Sequence, residues 1–89
     1  MDNETKNSTT PWGPAQVVEE VSVAQRAGMK RFASTVQLLE AKDGERLVRF
    51  AYSTGGSARR GPVTLRARDL ERLREELRAH PGLTAALGL

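Results

Sequence analysis

The chain has 89 residues, no cysteine, one histidine and a net charge of +3, which allow one small domain that buries only about 60% of its unfolded surface, with neither a disulfide nor a Cys/His cluster for zinc to reinforce it. No apolar run approaches the roughly 20 residues of a membrane span and the polar start Met1-Asp2-Asn3-Glu4 does not read as a signal peptide, so a cytoplasmic homodimer is expected. The charge is uneven: residues 26–68 hold ten basic side chains against Glu40, Asp43 and Glu45, a local balance of +7, which is the footprint of a nucleic-acid binder.

Met1 to Pro14 is rich in Asn, Ser, Thr, Gly and Pro, with Trp12 as its one bulky side chain, and predicts a disordered tail ahead of a single domain over residues 15–89. Ala15 to Ala27 suits a strand through Val17, Val21 and Val23, or a short helix through Val17, Val21 and Ala24; three valines in seven residues favour the strand. Gly28 breaks that pattern, and Gln25 to Lys30 reads as a turn or loop.

Arg31 to Glu40 alternates, with Phe32, Val36 and Leu38 on one face and Ala33, Thr35 and Gln37 on the other. In the following Ala41-Lys42-Asp43-Gly44-Glu45, Asp43 suits the second central position of a type I turn and Gly44 supplies the positive φ of a G1 bulge. A three-residue loop of this kind pairs Ala41 with Glu45, Leu38 with Val48 and Val36 with Phe50, so both strands present their apolar sets on one face. A two-residue loop would slip the register and scatter them. The other face then carries Thr35, Gln37, Arg49 and Ala51, open to a ligand.

Ser53 to Gly61 is too long and glycine-rich for a tight hairpin and reads as a loop that delivers Arg59-Arg60 to the sheet. Val63 to Leu65 reads as a short further strand, placed at an edge or bulge because Pro62 cannot donate to a ladder. Ala67 to Ala79 predicts a helix with Leu70, Leu73 and Leu77 toward the sheet and the pairs Asp69–Arg72 and Glu75–Arg78 outside. His80-Pro81-Gly82 ends it, and Leu83 to Leu87 forms one more turn, whose Leu83 and Leu87 cover either a partner subunit or the tail of the core.

No pattern supports catalysis. His80 stands alone beside a proline, Glu71, Glu75 and Glu76 pair with arginines, and Gly55-Gly56 with Gly61 lacks the lysine and spacing of a phosphate loop; no enzyme activity, cofactor or metal is expected. A basic sheet face with an arginine loop fits a single-stranded nucleic acid, held by cations that track the phosphates and by rings that stack on bases, at roughly 1–3 kcal/mol per base. Arg49, Arg59 and Arg60 supply cations, and Tyr52, at the end of an apolar set, suits either stacking or the core. With so few aromatics, backbone charge must dominate, which predicts steep salt dependence and little sequence preference.

Arg49-Phe50-Ala51-Tyr52-Ser53, the basic glycine loop, Arg59-Arg60-Gly61-Pro62-Val63-Thr64-Leu65 and the helix with Leu70 and Leu73 together resemble the positive cofactor four class of single-stranded DNA-binding transcriptional coregulators. The resemblance implies an α+β fold, a four-stranded antiparallel sheet followed by one C-terminal amphipathic helix packed on one face. It further implies dimerisation through the helices and single-stranded DNA on the other face. By position, Arg49 and Tyr52 resemble the basic and stacking residues of the strand, Arg59 and Arg60 the basic pair before the last strand, and Lys42 and Arg46 the basic hairpin flanking the groove. The expected function is non-sequence-specific binding of single-stranded DNA, or RNA, by a transcriptional coregulator or protector of opened DNA, with the transcription machinery as a further partner. The alternative is a small protein-interaction adaptor, such as an RNA polymerase-binding or phage-type regulator, anchored by an apolar residue such as Trp12 or Leu87.

Overall fold

Valine, threonine and aromatic residues spaced by polar ones favour extended chain, and they draw most of residues 7–59 into strands joined by short turns. The computed structural model describes residues 7–89, which form β1 (Asn7–Thr10), β2 (Gly13–Ala27), β3 (Lys30–Ala41), β4 (Arg46–Thr54), β5 (Ser57–Arg59), α1 (Ala67–Leu77) and α2 (Pro81–Leu87). The strands make one antiparallel sheet in the order β1-β2-β3-β4-β5, each pairing with its neighbour in sequence. Among the described residues no helix is long and apolar enough to cross a membrane.

Turn chemistry sets the register. Gly28, at φ +64°, opens a two-residue turn that places Ala27 opposite Lys30. At the β3–β4 turn the Ala41 N–H donates to the Glu45 carbonyl and the Gly44 N–H to the Ala41 carbonyl, both at 2.9 Å, with Gly44 at φ +89°. Asp43 Oδ1 accepts from the Glu45 N–H at 3.0 Å. Leu38 consequently faces Val48 and Val36 faces Phe50, the register expected from the loop length.

One face of the sheet carries Val21, Val23, Val36 and Leu38, and the helices cover it with Leu73, Leu77 and Leu83, while Val48, Leu65 and Leu87 pack around the rim. Leu38 and Leu83 are fully buried, each adding roughly 1.5–3 kcal/mol through the area removed from water. The turn expected over Leu83 to Leu87 is thus part of α2 and closes the chain's own core. Its start is capped from the sheet: His80 makes no side-chain cap, and Glu19 of β2 accepts from the N–H groups of Gly82 and Leu83 at 3.1 and 2.7 Å. Two of the donors that a helix start leaves open are satisfied in this way. A Cβ at Gly82 would lie 2.7 Å from Glu19 Oε2 and 2.9 Å from Leu38 Cδ2, so the close approach depends on glycine.

Several expectations are corrected. The expected disordered tail is strand in its described part: Thr10 Oγ1 donates to the Gly13 carbonyl at 2.7 Å and accepts from the Trp12 N–H at 3.1 Å, closing the Pro11-Trp12 turn between β1 and β2. Residues 1–6 of that segment lie outside the described residues. A bulge between Val17 and Glu19 switches faces within β2, so Val17 pairs with Leu39 on the open face while Val21 pairs with Val36 on the helix face. Residues 53–61 form a tight hairpin rather than a long loop. Gly55 and Gly56, at φ +57° and +81°, occupy a two-residue turn with Thr54 opposite Ser57, and two successive positive φ angles are what a I′ hairpin turn demands.

No strand forms at Val63 to Leu65; residues 62–66 pass from the sheet to α1 without a ladder partner, and the Thr64 carbonyl instead accepts from the Gln25 side chain at 3.4 Å. Among the described residues the architecture is therefore five strands and two helices, not four strands and one. On α1 the buried stripe is Asp69, Leu73 and Leu77, an i, i+4, i+8 row, so Leu70 lies off it and is 48% exposed.

Candidate nucleic-acid interface

Because the strands run antiparallel in sequence order, the β2–β3 and β4–β5 turns fall at one end of the sheet. The start of α1 joins them there, since Asp69 bonds to Gln25 near the end of β2. That end carries Arg26, Lys30, Arg31, Arg59, Arg60, Arg66 and Arg72, and one buried carboxylate, Asp69, which holds Arg66 and Arg72. Lys42 and Arg46 belong to the β3–β4 turn at the far end, where Arg46 stands opposite Glu40. The six residues expected to form one interface are thereby divided: Lys42 and Arg46 do not join Arg49, Tyr52, Arg59 and Arg60.

Tyr52 pairs with Ser34 and shares the parity of Val48 and Phe50, so it lies on the helix face, opposite to Arg49. Beyond the cover of the helices its ring meets Phe32 edge to face, with centroids 6.5 Å apart and planes at 84°. The two rings, with Lys30, Arg59, Pro62 and Thr64, line a cleft of about 560 Å³. The Tyr52 hydroxyl donates to the Arg60 carbonyl at 3.0 Å, and Arg59 Nε donates to Thr54 Oγ1 at 2.5 Å. Gly61 follows at φ +123°, with room for a Cβ only at 3.6 Å from Tyr52 Oη. The aromatic therefore fixes the course of the arginine segment, and Arg59 and Arg60 leave it on the exposed side.

Arg49 sits on the face expected for it but is not free. Its Nε donates to Gln37 Oε1 and its Nη1 to the Thr9 carbonyl, both at 3.0 Å, and its Nη2 donates to Ser8 Oγ. Since β2 and β3 separate β1 from β4 in the sheet, these bonds bring β1 across the open face. A concavity of about 670 Å³ remains beside it, and Arg49, Tyr52 and Arg59 all reach its lining.

Asp69 is 1% exposed. It accepts from Arg66 Nε at 2.6 Å and Nη2 at 3.2 Å, from Arg72 Nη1 at 3.0 Å and from Gln25 Nε2 at 3.2 Å. Gln25 Oε1 in turn accepts from Ser34 Oγ at 2.5 Å. The hydrogen bond from Arg66 lowers the Asp69 carboxyl to about 2, against the opposing effect of burial, and the same bond raises the Arg66 guanidinium. Lys30, Phe32, Arg66 and Arg72 were not among the expected site residues. The signal for Lys30 and Phe32 lay in the flanks of Gly28, where a hairpin sets Arg26 opposite Arg31, and that for Arg66 and Arg72 in their spacing of three residues on either side of Asp69.

Among the described residues no group of three or more His, Cys, Asp or Glu side chains is placed to hold a metal ion. Fold and site together describe a small α+β protein with an open antiparallel sheet and a cationic, ring-bearing end. Comparison with protein-family models, with curated proteins and with solved structures finds no match.

Proposed function

We propose that the protein is a non-enzymatic binder of single-stranded nucleic acid, DNA in the first instance, engaged through the cationic end of the sheet. The observation that carries this is the cleft that Phe32 and Tyr52 line together with Lys30 and Arg59. Rings offer every base a face to stack on and the cations follow the phosphates, a combination that holds a strand without reading its sequence. A role in transcription or in protecting opened DNA, in the cytoplasm, fits such a binder. A homodimer is part of the proposal, because Phe50, 53% exposed, and Leu70, 48% exposed, leave apolar surface for a second copy to cover; sedimentation of the purified chain measures it.

The test is a titration of a fluorescent single strand of about 20 nucleotides, and of the matching duplex, at low and near-physiological salt. Micromolar binding to the single strand, several-fold weaker binding to duplex, and about tenfold weaker binding of both in Lys30→Ala/Arg59→Ala are expected. Failure to bind either strand form at low salt would sink the proposal. One observation favours the adaptor alternative: Trp12, 73% exposed, stands on an ordered turn. Binding to acidic protein partners that disappears in Trp12→Ala and survives Lys30→Ala/Arg59→Ala would select it.

A further inference from the structure

At the tip of the β2–β3 hairpin Arg26 and Arg31 are direct cross-strand partners. Like charges in that relation oppose each other and destabilise the pairing. Neither side chain has a hydrogen bond or ion pair among the described residues, while the nearby carboxylate, Asp69, is occupied by Arg66, Arg72 and Gln25. These four arginines, with Gln25 and Phe32, line a shallow concavity of about 380 Å³. Asp69 grips Arg66 by one edge, through Nε and Nη2, and Arg72 through Nη1 alone, and leaves their side chains 48% and 55% exposed. The bidentate pair orients the Arg66 guanidinium plane in advance, and both arginines keep further N–H donors to turn outward. Four guanidinium groups against one carboxylate give the site a balance near +3.

We propose that this concavity binds a phosphomonoester dianion, the terminal phosphate of a nucleic-acid strand. The guanidinium fork matches phosphate oxygens in pairs. A phosphomonoester carries about −1.5 to −2 charges near neutral pH, which answers the balance of the site better than the single charge of an internal phosphodiester. Phe32 lines this concavity and also the aromatic cleft, so a strand anchored by its end at the arginines continues over Phe32 toward Tyr52, Lys30 and Arg59. The proposal rests on the nucleic-acid reading above and adds to it a preferred end.

Two measurements separate them. In the first, fluorescence anisotropy compares ten-nucleotide single strands bearing a 5′-phosphate, a 3′-phosphate or hydroxyl ends, on the wild type, Arg26→Ala/Arg31→Ala and Arg59→Ala. The wild type is expected to hold one phosphorylated form about tenfold more tightly than the hydroxyl form, the difference made by one charge-assisted contact. The preference vanishes in Arg26→Ala/Arg31→Ala and persists, at weaker overall affinity, in Arg59→Ala. In the second, the melting temperature is followed with inorganic phosphate against chloride at equal ionic strength. Phosphate raises it in the wild type and not in Arg26→Ala/Arg31→Ala, whose melting temperature without phosphate is equal or higher because the cross-strand repulsion is gone. A phosphate response without strand binding would keep the site and discard the nucleic-acid reading. Equal affinity for all strand ends together with no phosphate response would overturn the site.

Discussion

Asp69 shows how one buried carboxylate can be worth more as an organiser than as a charge. Removing a single charge from water into the interior is unfavourable unless it is paired and hydrogen-bonded, and here the compensation comes from Arg66, Arg72 and Gln25 together. Asp69→Asn is expected to lower the melting temperature at neutral pH by more than about 4 °C and to leave the Arg66 and Arg72 side chains without their common anchor. The pH dependence has a definite sign. With the folded carboxyl lowered to about 2 and an unfolded value near 3.9, its stabilising effect is fully present above about pH 4 and is lost as pH falls through 2. Thermal melts between pH 2 and 5 should show a steeper acid-side loss for the wild type than for Asp69→Asn; parallel curves would contradict the assignment.

The two helices differ in where their ends are satisfied, and α2 depends on the sheet. Glu19→Ala removes the acceptor for the Gly82 and Leu83 N–H groups and should cost about 1 kcal/mol in urea unfolding. Gly82→Ala, which drives a Cβ toward Glu19 and Leu38, should cost about 1–3 kcal/mol by overpacking, whereas Gly88→Ala meets no neighbour and suffers only its left-handed backbone. Sequence patterns reached some of these elements and not others, for physical reasons. The β3–β4 hairpin was legible because Asp43-Gly44 and the burial of Leu38 and Val48 demand the same register. Val63 to Leu65 has the alternation of a strand but no ladder to join, a fact set by the course of the chain between β5 and α1. Arg49 was placed on its correct face by parity alone. Its bonds to Ser8 and Thr9 were not legible, because those residues are small and polar and become strand only by pairing with β2.

For the molecule as a whole, 42 Å along its longest axis, the separation of charge matters more than its total. A net +3 is small, but cations gathered at one end make a local field that steers a polyanion toward that end. Each phosphate released from its counterions contributes about 0.7 to the slope of log affinity against log salt for a single strand. Lys30→Ala/Arg59→Ala should therefore flatten that slope by about 1.4, while Lys42→Ala/Arg46→Ala, at the far end, should leave it nearly unchanged. Anisotropy titrations over a series of salt concentrations measure both. The strand order carries a different consequence, in time rather than in space. Every strand pairs with the one made just before it, so the sheet can grow by local hairpins, which close quickly. Helix docking comes from far along the chain: Gln25 meets Asp69 across 44 residues and Glu19 meets Leu83 across 64. Those contacts should form after the rate-limiting step. In stopped-flow experiments Glu19→Ala is then expected to speed unfolding and leave the refolding rate almost untouched, the mark of a sheet that assembles first and is locked by its helices afterwards.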